Sequence, residues 1–149
     1  MILMEAVAEY RASPDRSDEN GRGLSLTLPR RPSSVARARG HVRAAFGGLG
    51  LLHLIETAVL LTSELATNAV RHAHAGRTFE ITVRSVADHV WVEVADQDGS
   101  PLPSTRAARL DDTGGRGLHL LDCLADRWEA ESNGTGKIVR FGLSLARPS

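Results

Sequence analysis

One long apolar segment, residues 54–73, sets the strongest constraint on how this chain can fold. Leucine, alanine and valine fill most of it, which favours a largely covered helix. The three- and four-residue spacing of helical contacts predicts a core-facing stripe made of Ile55, Ala58, Val59, Thr62, Leu65, Ala66 and Ala69. Glu64 and Asn68 lie off that stripe and four residues apart, so they share a second face of the helix.

The polar pair of Glu64 and Asn68 leaves two interpretations open. Most charged side chains are simply exposed, so the pair is consistent with a solvated face. It is equally consistent with the wall of a cavity, because a carboxylate and an amide on an apolar helix are costly unless they have partners. In that case the asparagine oxygen suits Mg²⁺ as a ligand, and the glutamate can orient or deprotonate a nucleophile.

Length, charge and cysteine content narrow the class of protein. The 149 residues suffice for one domain, and a formal net charge of zero argues against a general nucleic-acid binder. The single cysteine, Cys123, excludes an internal disulfide, and its place in an apolar run predicts a buried, inert thiol. Residues 1–7 are too short and too acidic for a signal peptide, and no apolar run approaches a membrane span, so we expect a cytoplasmic location.

The chain divides into a tail and a domain. Residues 1–22 are polar and rich in turn formers, which predicts a mobile N-terminal tail before a domain at 23–146. Alternating residues predict strands at 24–28, 79–84, 90–95, from Arg127 onward and at 138–145.

Two more helices and one long loop complete the predicted domain. One helix is expected to begin at a capping Ser33 or Ser34 and run through Phe46, and another to begin at Gly114. Residues 102–113 have the length of a lid, a binding loop or a disordered segment. The order β, α, α, β, β, loop, α, β, β predicts an α+β fold. We expect a two-layer sandwich with a mixed, mostly antiparallel sheet and helices on one face.

Two further features could line a pocket between the helices and the sheet. Asp96, with Asp98 and Gly99, follows a predicted strand, where an aspartate can accept a hydrogen bond from the exocyclic amine of a base. The same residues also suit a plain turn, and turn chemistry alone favours that interpretation. His72 lies four residues beyond Asn68, so it either lines the same face or ends the helix.

The second feature is Gly114-Gly115-Arg116-Gly117 at a predicted helix start. Free backbone N–H groups and the helix dipole favour an anion there, and Arg116 would add a charged contact. A flexible hinge before a helix is the alternative. The segment is neither a Walker motif, since no Gly-Lys-Ser/Thr follows, nor a Rossmann fingerprint, since no strand precedes it.

Four motifs, taken in order, resemble those of a known family: Glu64-Leu-x-x-Asn68-Ala, Asp96-x-Asp98-Gly99, Gly115-Arg116-Gly117-Leu118 and Gly134-x-Gly136-Lys137-x-Val139-x-Phe141. The chain resembles the histidine kinase-like ATPases, whose fold is also called the Bergerat or GHKL fold. The similarity extends over residues 24–145 and is greatest to the small stand-alone anti-sigma factor kinases and their actinobacterial relatives.

The resemblance implies a site for ATP and Mg²⁺. Asn68 would be the magnesium ligand, Glu64 the base or nucleophile-orienting residue, and Asp96 the acceptor for the adenine amino group. Gly115, Arg116 and Gly117 would lie at the phosphates under a lid formed by residues 102–113. The final motif, around Thr135 and Lys137, would border the adenine pocket.

One motif departs from the family pattern. The expected Asp-x-Gly-x-Gly is Asp96-Gln97-Asp98-Gly99-Ser100 here, and an alternative register would give the adenine contact to Asp98. The resemblance implies an ATP-binding regulatory protein that phosphorylates serine or threonine on an antagonist protein, binds a sigma factor, or does both, and that forms a homodimer. A non-catalytic nucleotide-binding or protein-interaction module is the alternative, and we expect no direct contact with nucleic acid or membrane.

Overall fold

The computed structural model describes residues 23–72, 78–96, 114–132 and 136–146. The predicted tail at 1–22 and the predicted lid at 102–113 lie outside these ranges. The helices are α1 (Ser33–Gly48), α2 (Ile55–His72) and α3 (Gly114–Leu124), with a 3₁₀ turn at Leu52–Leu54. The strands are β1 (Gly23–Pro29), β2 (Thr78–Val86), β3 (His89–Asp96), β4 (Arg127–Ser132) and β5 (Lys137–Ser144).

The five strands form one sheet in the order β1-β2-β3-β5-β4. Every pairing among these described strands is antiparallel. The predicted α+β class, with helices gathered on one face of the sheet, is confirmed. Strand order places β1 and β4 at the edges and β3 at the centre.

The core lies between the helices and one face of the sheet. Alternate residues of the central strands, such as Ile81, Val92 and Phe141, are fully buried against helix residues such as Phe46 and Leu61. Each such side chain contributes about 1.5–3 kcal/mol by leaving water. The predicted α2 stripe is confirmed at its buried positions, which are Ala58, Thr62, Leu65, Ala66 and Ala69.

The other face of the sheet carries charged side chains that are nevertheless buried. Arg84 Nη2 lies 2.9 Å from Glu93 Oε2, and these two side chains are only 5% and 1% exposed. Arg140 Nε lies 3.1 Å from the same Glu93 oxygen. Arg140 also pairs with Glu129 and Glu131 on β4, so one ion-pair network links β2, β3, β5 and β4.

Two predictions of local structure are wrong. Neither Ser33 nor Ser34 caps α1, because the Ser34 hydroxyl donates to the Pro29 carbonyl (2.6 Å) instead. Cys123 is exposed rather than buried. Leu121 of α3 is fully buried, and Cys123, two residues later, lies about 200° around the helix from it. None of the helices in the described ranges is long and apolar enough to cross a membrane.

Candidate functional site

One end of the sheet gathers the chain segments that the sequence motifs single out. The register pairs Pro29 with Thr78, and Asp96 with both Phe79 and Lys137, while Ser132 also pairs with Lys137. The end of β3 and the start of β5 therefore lie side by side. We call this end of the strands the site end of the sheet; it is formed by Pro29, Thr78, Asp96, Ser132 and Lys137.

Helix α2 ends at the site end. Arg30, the residue after β1, donates from Nε to the Ala69 carbonyl (3.2 Å) and from Nη2 to the Val70 carbonyl (3.4 Å). These carbonyls belong to the last turn of α2, directly after Asn68. Because Pro29 is part of the site end, the contact of Arg30 brings the last turn of α2, which follows Asn68, to the same end of the sheet as Asp96 and Lys137.

Helix α3 finishes at the end of the sheet opposite the site end. After the helix, the Asp126 N–H donates to the Gly142 carbonyl (3.0 Å), and the Asp126 carboxylate accepts from the Ser144 N–H (2.7 Å). Ser144 pairs with His89, at the far end of β3 from Asp96. The 11 residues of α3 span about 16 Å, and the helix packs against α2.

Glu64 and Asn68 occupy the flank of α2 that turns away from α1. The neighbouring Ser63 faces α1, since its hydroxyl accepts from Arg39 Nη1 (3.3 Å). A helical turn of 3.6 residues places Glu64 about 100° and Asn68 about 140° around the helix from Ser63. Both side chains are half-buried. A half-buried amide near the end of a helix can contact a ligand and still be held by its own helix.

Asp96 lies on the helix-facing side of the sheet. It continues the alternation of Val92 and Val94, which are buried against the helices, and is itself half-buried at the strand end. A carboxylate at that position faces the layer that contains α2. Asp98 and Gly99 lie outside the described residues, so which aspartate contacts adenine stays a prediction.

The remaining predicted site residues are placed by their backbone or lie outside the described ranges. His72 is the last residue of α2, and Gly115, Arg116, Gly117 and Leu118 form the opening turns of α3. Thr135 lies outside the described residues. The predicted helix start at the glycine-rich segment is confirmed, and such a start offers backbone N–H groups that have no intrahelical partner.

This donor set fits a magnesium nucleotide better than a metal held by protein alone. Among the residues that the structure describes, no three His, Cys, Asp or Glu side chains cluster as a metal site. A hard cation held by Asn68 would take its other ligands from phosphate and water, which is how Mg²⁺ is usually bound beside a nucleotide. The half-buried Asn68 amide, on a helix that packs against α3, suits that role.

The chain is similar to known proteins over most of its length. The profile of the histidine kinase-like ATPase domain matches residues 28–143. The serine-protein kinase RsbW of Bacillus pumilus (strain SAFR-032) is 30% identical over 127 residues, which cover 74% of this chain and 78% of that protein. The residues that the profile matches, 28–143, include α2, the site end and α3.

Solved structures share the fold at lower identity. The crystal structure of the RsbU and RsbW domains of Rv1364c from Mycobacterium tuberculosis aligns with a TM-score of 0.66 at 21% identity. That alignment covers 86% of this chain but 34% of the other, so this chain spans about a third of that length. The histidine kinase AdeS of Acinetobacter baumannii aligns with a TM-score of 0.52 at 15% identity, covering 98% and 80% of the two chains.

The profile matches most of this chain, which folds as an open antiparallel sheet with helices on one face. This chain therefore belongs to the histidine kinase-like ATPase family. Within the family, the similarity to RsbW assigns it to the anti-sigma factor serine kinase branch.

Proposed function

We propose that this protein binds ATP with Mg²⁺ at the site end of the sheet and transfers the γ-phosphate to a serine or threonine of an antagonist protein, with a sigma factor as its second partner. The observation that carries the proposal is that the end of α2 with Asn68 and the end of β3 with Asp96 lie at the same end of the sheet. The resemblance to the family adds the start of α3 as the phosphate-binding element. The family assignment supports the same chemistry.

Each residue has a distinct part in the proposed reaction. Asp96 accepts a hydrogen bond from the adenine amino group, Asn68 would hold Mg²⁺, and the N–H groups at the start of α3 bind phosphate. Bound Mg²⁺ supplies neutralisation of charge on the phosphates. Glu64 takes the proton from the acceptor hydroxyl, and the hydroxyl oxygen forms a bond to the γ-phosphorus. The bond from the γ-phosphorus to the bridging oxygen breaks, and ADP leaves.

The transfer reaction tests the proposed activity directly. Wild-type protein is incubated with γ-labelled ATP, Mg²⁺ and a purified antagonist protein, and label on the antagonist is measured with time. Label that is stable in hydroxylamine and lost in alkali is expected, because phosphoserine and phosphothreonine have that chemistry. A saturating ATP isotherm with no labelled antagonist would favour the alternative function, in which nucleotide binding occurs without transfer.

That alternative rests on one specific observation. In the register that begins at Asp96, the segment Asp96-Gln97-Asp98-Gly99-Ser100 has Asp98 and Ser100 where the family pattern has glycine. The resemblance therefore implies weaker adenine binding, because side chains replace both glycines. A module that holds nucleotide loosely, or none, could still bind a protein partner.

Helix α1 offers a surface for an acidic protein partner. Residues 23–55 contain five arginines and no aspartate or glutamate, although the whole chain has zero net charge. On α1 the exposed Arg37 and Arg43 flank a solvent-facing strip of small residues, Ala36, Gly40, Ala44 and Gly47. Gly40 and Gly47 have nothing within 4 Å of an added Cβ, so a partner backbone can approach closely.

Reversing charge on α1 is therefore expected to weaken partner binding. Arg37→Glu combined with Arg43→Glu should raise the Kd for the antagonist or sigma factor by about tenfold or more, chiefly through slower association at low salt. Titration calorimetry at two salt concentrations measures the Kd and its dependence on salt. Arg127→Glu, an exposed arginine at the start of β4, is the control and should leave the Kd within about twofold. Equal effects of both changes would contradict the assignment of this surface.

A further inference from the structure

We infer that Arg30 is a positioning residue that holds the last turn of α2, and with it Asn68, in the geometry that a magnesium nucleotide requires. The inference rests on the proposed nucleotide site but concerns a residue outside all four motifs. It begins from the two hydrogen bonds that join the residue after β1 to the end of a helix 39 and 40 residues later.

The end of α2 needs such a partner. The last four carbonyls of any α-helix accept no intrahelical hydrogen bond, and in a helix that ends at His72 they belong to residues 69–72. Arg30 supplies donors to two of them, at Ala69 (3.2 Å) and Val70 (3.4 Å). Its positive charge also lies at the negative end of the helix dipole, so the electrostatic and hydrogen-bond contributions act in the same direction.

Arg30 is itself held by a compact turn. The Pro29 carbonyl accepts from the Arg31 N–H (2.9 Å) and from the Ser34 hydroxyl (2.6 Å), and the Ser34 N–H donates to the Arg31 carbonyl (2.9 Å). Ser34 is 1% exposed, so this turn is anchored in the core. The guanidinium therefore extends from a fixed backbone and can fix the helix end in turn.

The consequence concerns Asn68. Its carbonyl bonds to the N–H of the final helical residue, so fraying of the last turn would release the backbone that orients the Asn68 amide. A ligand for Mg²⁺ must be held close to its working position before the ion arrives. Loss of Arg30 should thus weaken the magnesium-dependent part of ATP binding more than the part that the adenine contacts supply.

The experiment compares Arg30→Gln and Arg30→Lys with a matched control, Arg31→Gln. Arg31 is the next residue, carries the same charge and is exposed. Hydrogen exchange of the peptide that covers residues 64–72 is measured without nucleotide. ATP affinity is then measured by calorimetry, once with Mg²⁺ and once with EDTA, well below each variant's melting temperature.

In Arg30→Gln we expect exchange in the last turn of α2 to rise about tenfold, as loss of charged hydrogen bonds predicts. The Kd for ATP with Mg²⁺ should rise by a similar factor, while the Kd in EDTA changes by less than about twofold, since a general loss of stability would move both. Arg30→Lys should restore part of each effect, because lysine keeps the charge without the planar fork. Arg31→Gln should match wild type.

Two affinity results overturn this inference alone. The first is ATP binding by wild type with a Kd that Arg30→Gln leaves unchanged, and the second is an Arg30→Gln Kd that rises equally with Mg²⁺ and in EDTA. Wild-type protein that binds no ATP in either buffer overturns the proposed function instead, and this inference with it. Exchange at residues 64–72 that is identical in all four proteins also overturns the inference, whatever the nucleotide data.

Discussion

Glu64→Gln should lower the rate of phosphoryl transfer by about 10²–10⁴-fold while leaving ATP affinity within about twofold of wild type. Glutamine keeps the shape and the half-buried position of Glu64 but cannot accept a proton. Binding contacts at Asn68, at Asp96 and at the start of α3 are untouched by this change. Single-turnover labelling of the antagonist protein measures the rate, and calorimetry with ATP and Mg²⁺ measures the affinity.

The matched control is Glu56→Gln on the same helix. Glu56 is exposed and lies in the first turn of α2, at the opposite end from Asn68. Glu56→Gln removes the same charge as Glu64→Gln but at the end of α2 away from Asn68. The transfer rate of this variant should therefore stay near that of wild type. A Glu64→Gln protein that transfers phosphate at the wild-type rate would remove Glu64 from the reaction, and the nucleotide would then act without a glutamate base.

Glu93→Ala should lower the free energy of unfolding by about 3–5 kcal/mol. Glu93 is 1% exposed and pairs with Arg84, which is 5% exposed, at 2.9 Å. Removing one member of a buried ion pair leaves the other charge away from water without that partner, and this penalty exceeds the ordinary value of a salt bridge. Urea unfolding followed by circular dichroism measures the change.

Glu129→Ala is the comparison that isolates burial. Glu129 also pairs with Arg140, but it is 57% exposed. Solvent screens such a pair, so its removal should cost about 0–1 kcal/mol. If Glu93→Ala and Glu129→Ala lower the free energy of unfolding equally, burial of the ion pairs on the helix-free face of the sheet would not affect stability.

Periodicity predicted most of the architecture because the physical signals are local. The alternation in β2, β3 and β5 and the helical spacing in α2 each reflect a single buried face. Leu61 is fully buried but was absent from the predicted stripe. Since α2 packs against both the sheet and α3, its covered face is wider than a single stripe. Cys123 shows the opposite error, because an apolar run does not reveal which side of a short helix is covered.

Non-local features could not be predicted from the residues alone. Sequence spacing does not give the register that pairs Asp96 with Lys137, so the structure was needed to place these two residues at the same end of the sheet. The contact of Arg30 with Ala69 spans 39 residues, and an arginine after a strand carries no local sign of its partner. The alternation in β2 and β3 likewise does not reveal that Arg84 and Glu93, on the face of the sheet away from the helices, are buried.

Titration calorimetry of ATP in the presence of Mg²⁺, with wild type, Asn68→Ala and Thr67→Ala, tests the central claim most directly. Wild type should give a saturable isotherm, and Asn68→Ala should weaken it by about 10–100-fold, since a charge-assisted contact to the bound ion is lost. Thr67→Ala, one residue away on a different side of α2, should match wild type. A flat wild-type titration, or an Asn68→Ala isotherm that superimposes on it, would contradict the assignment of a magnesium-nucleotide site to this end of the sheet.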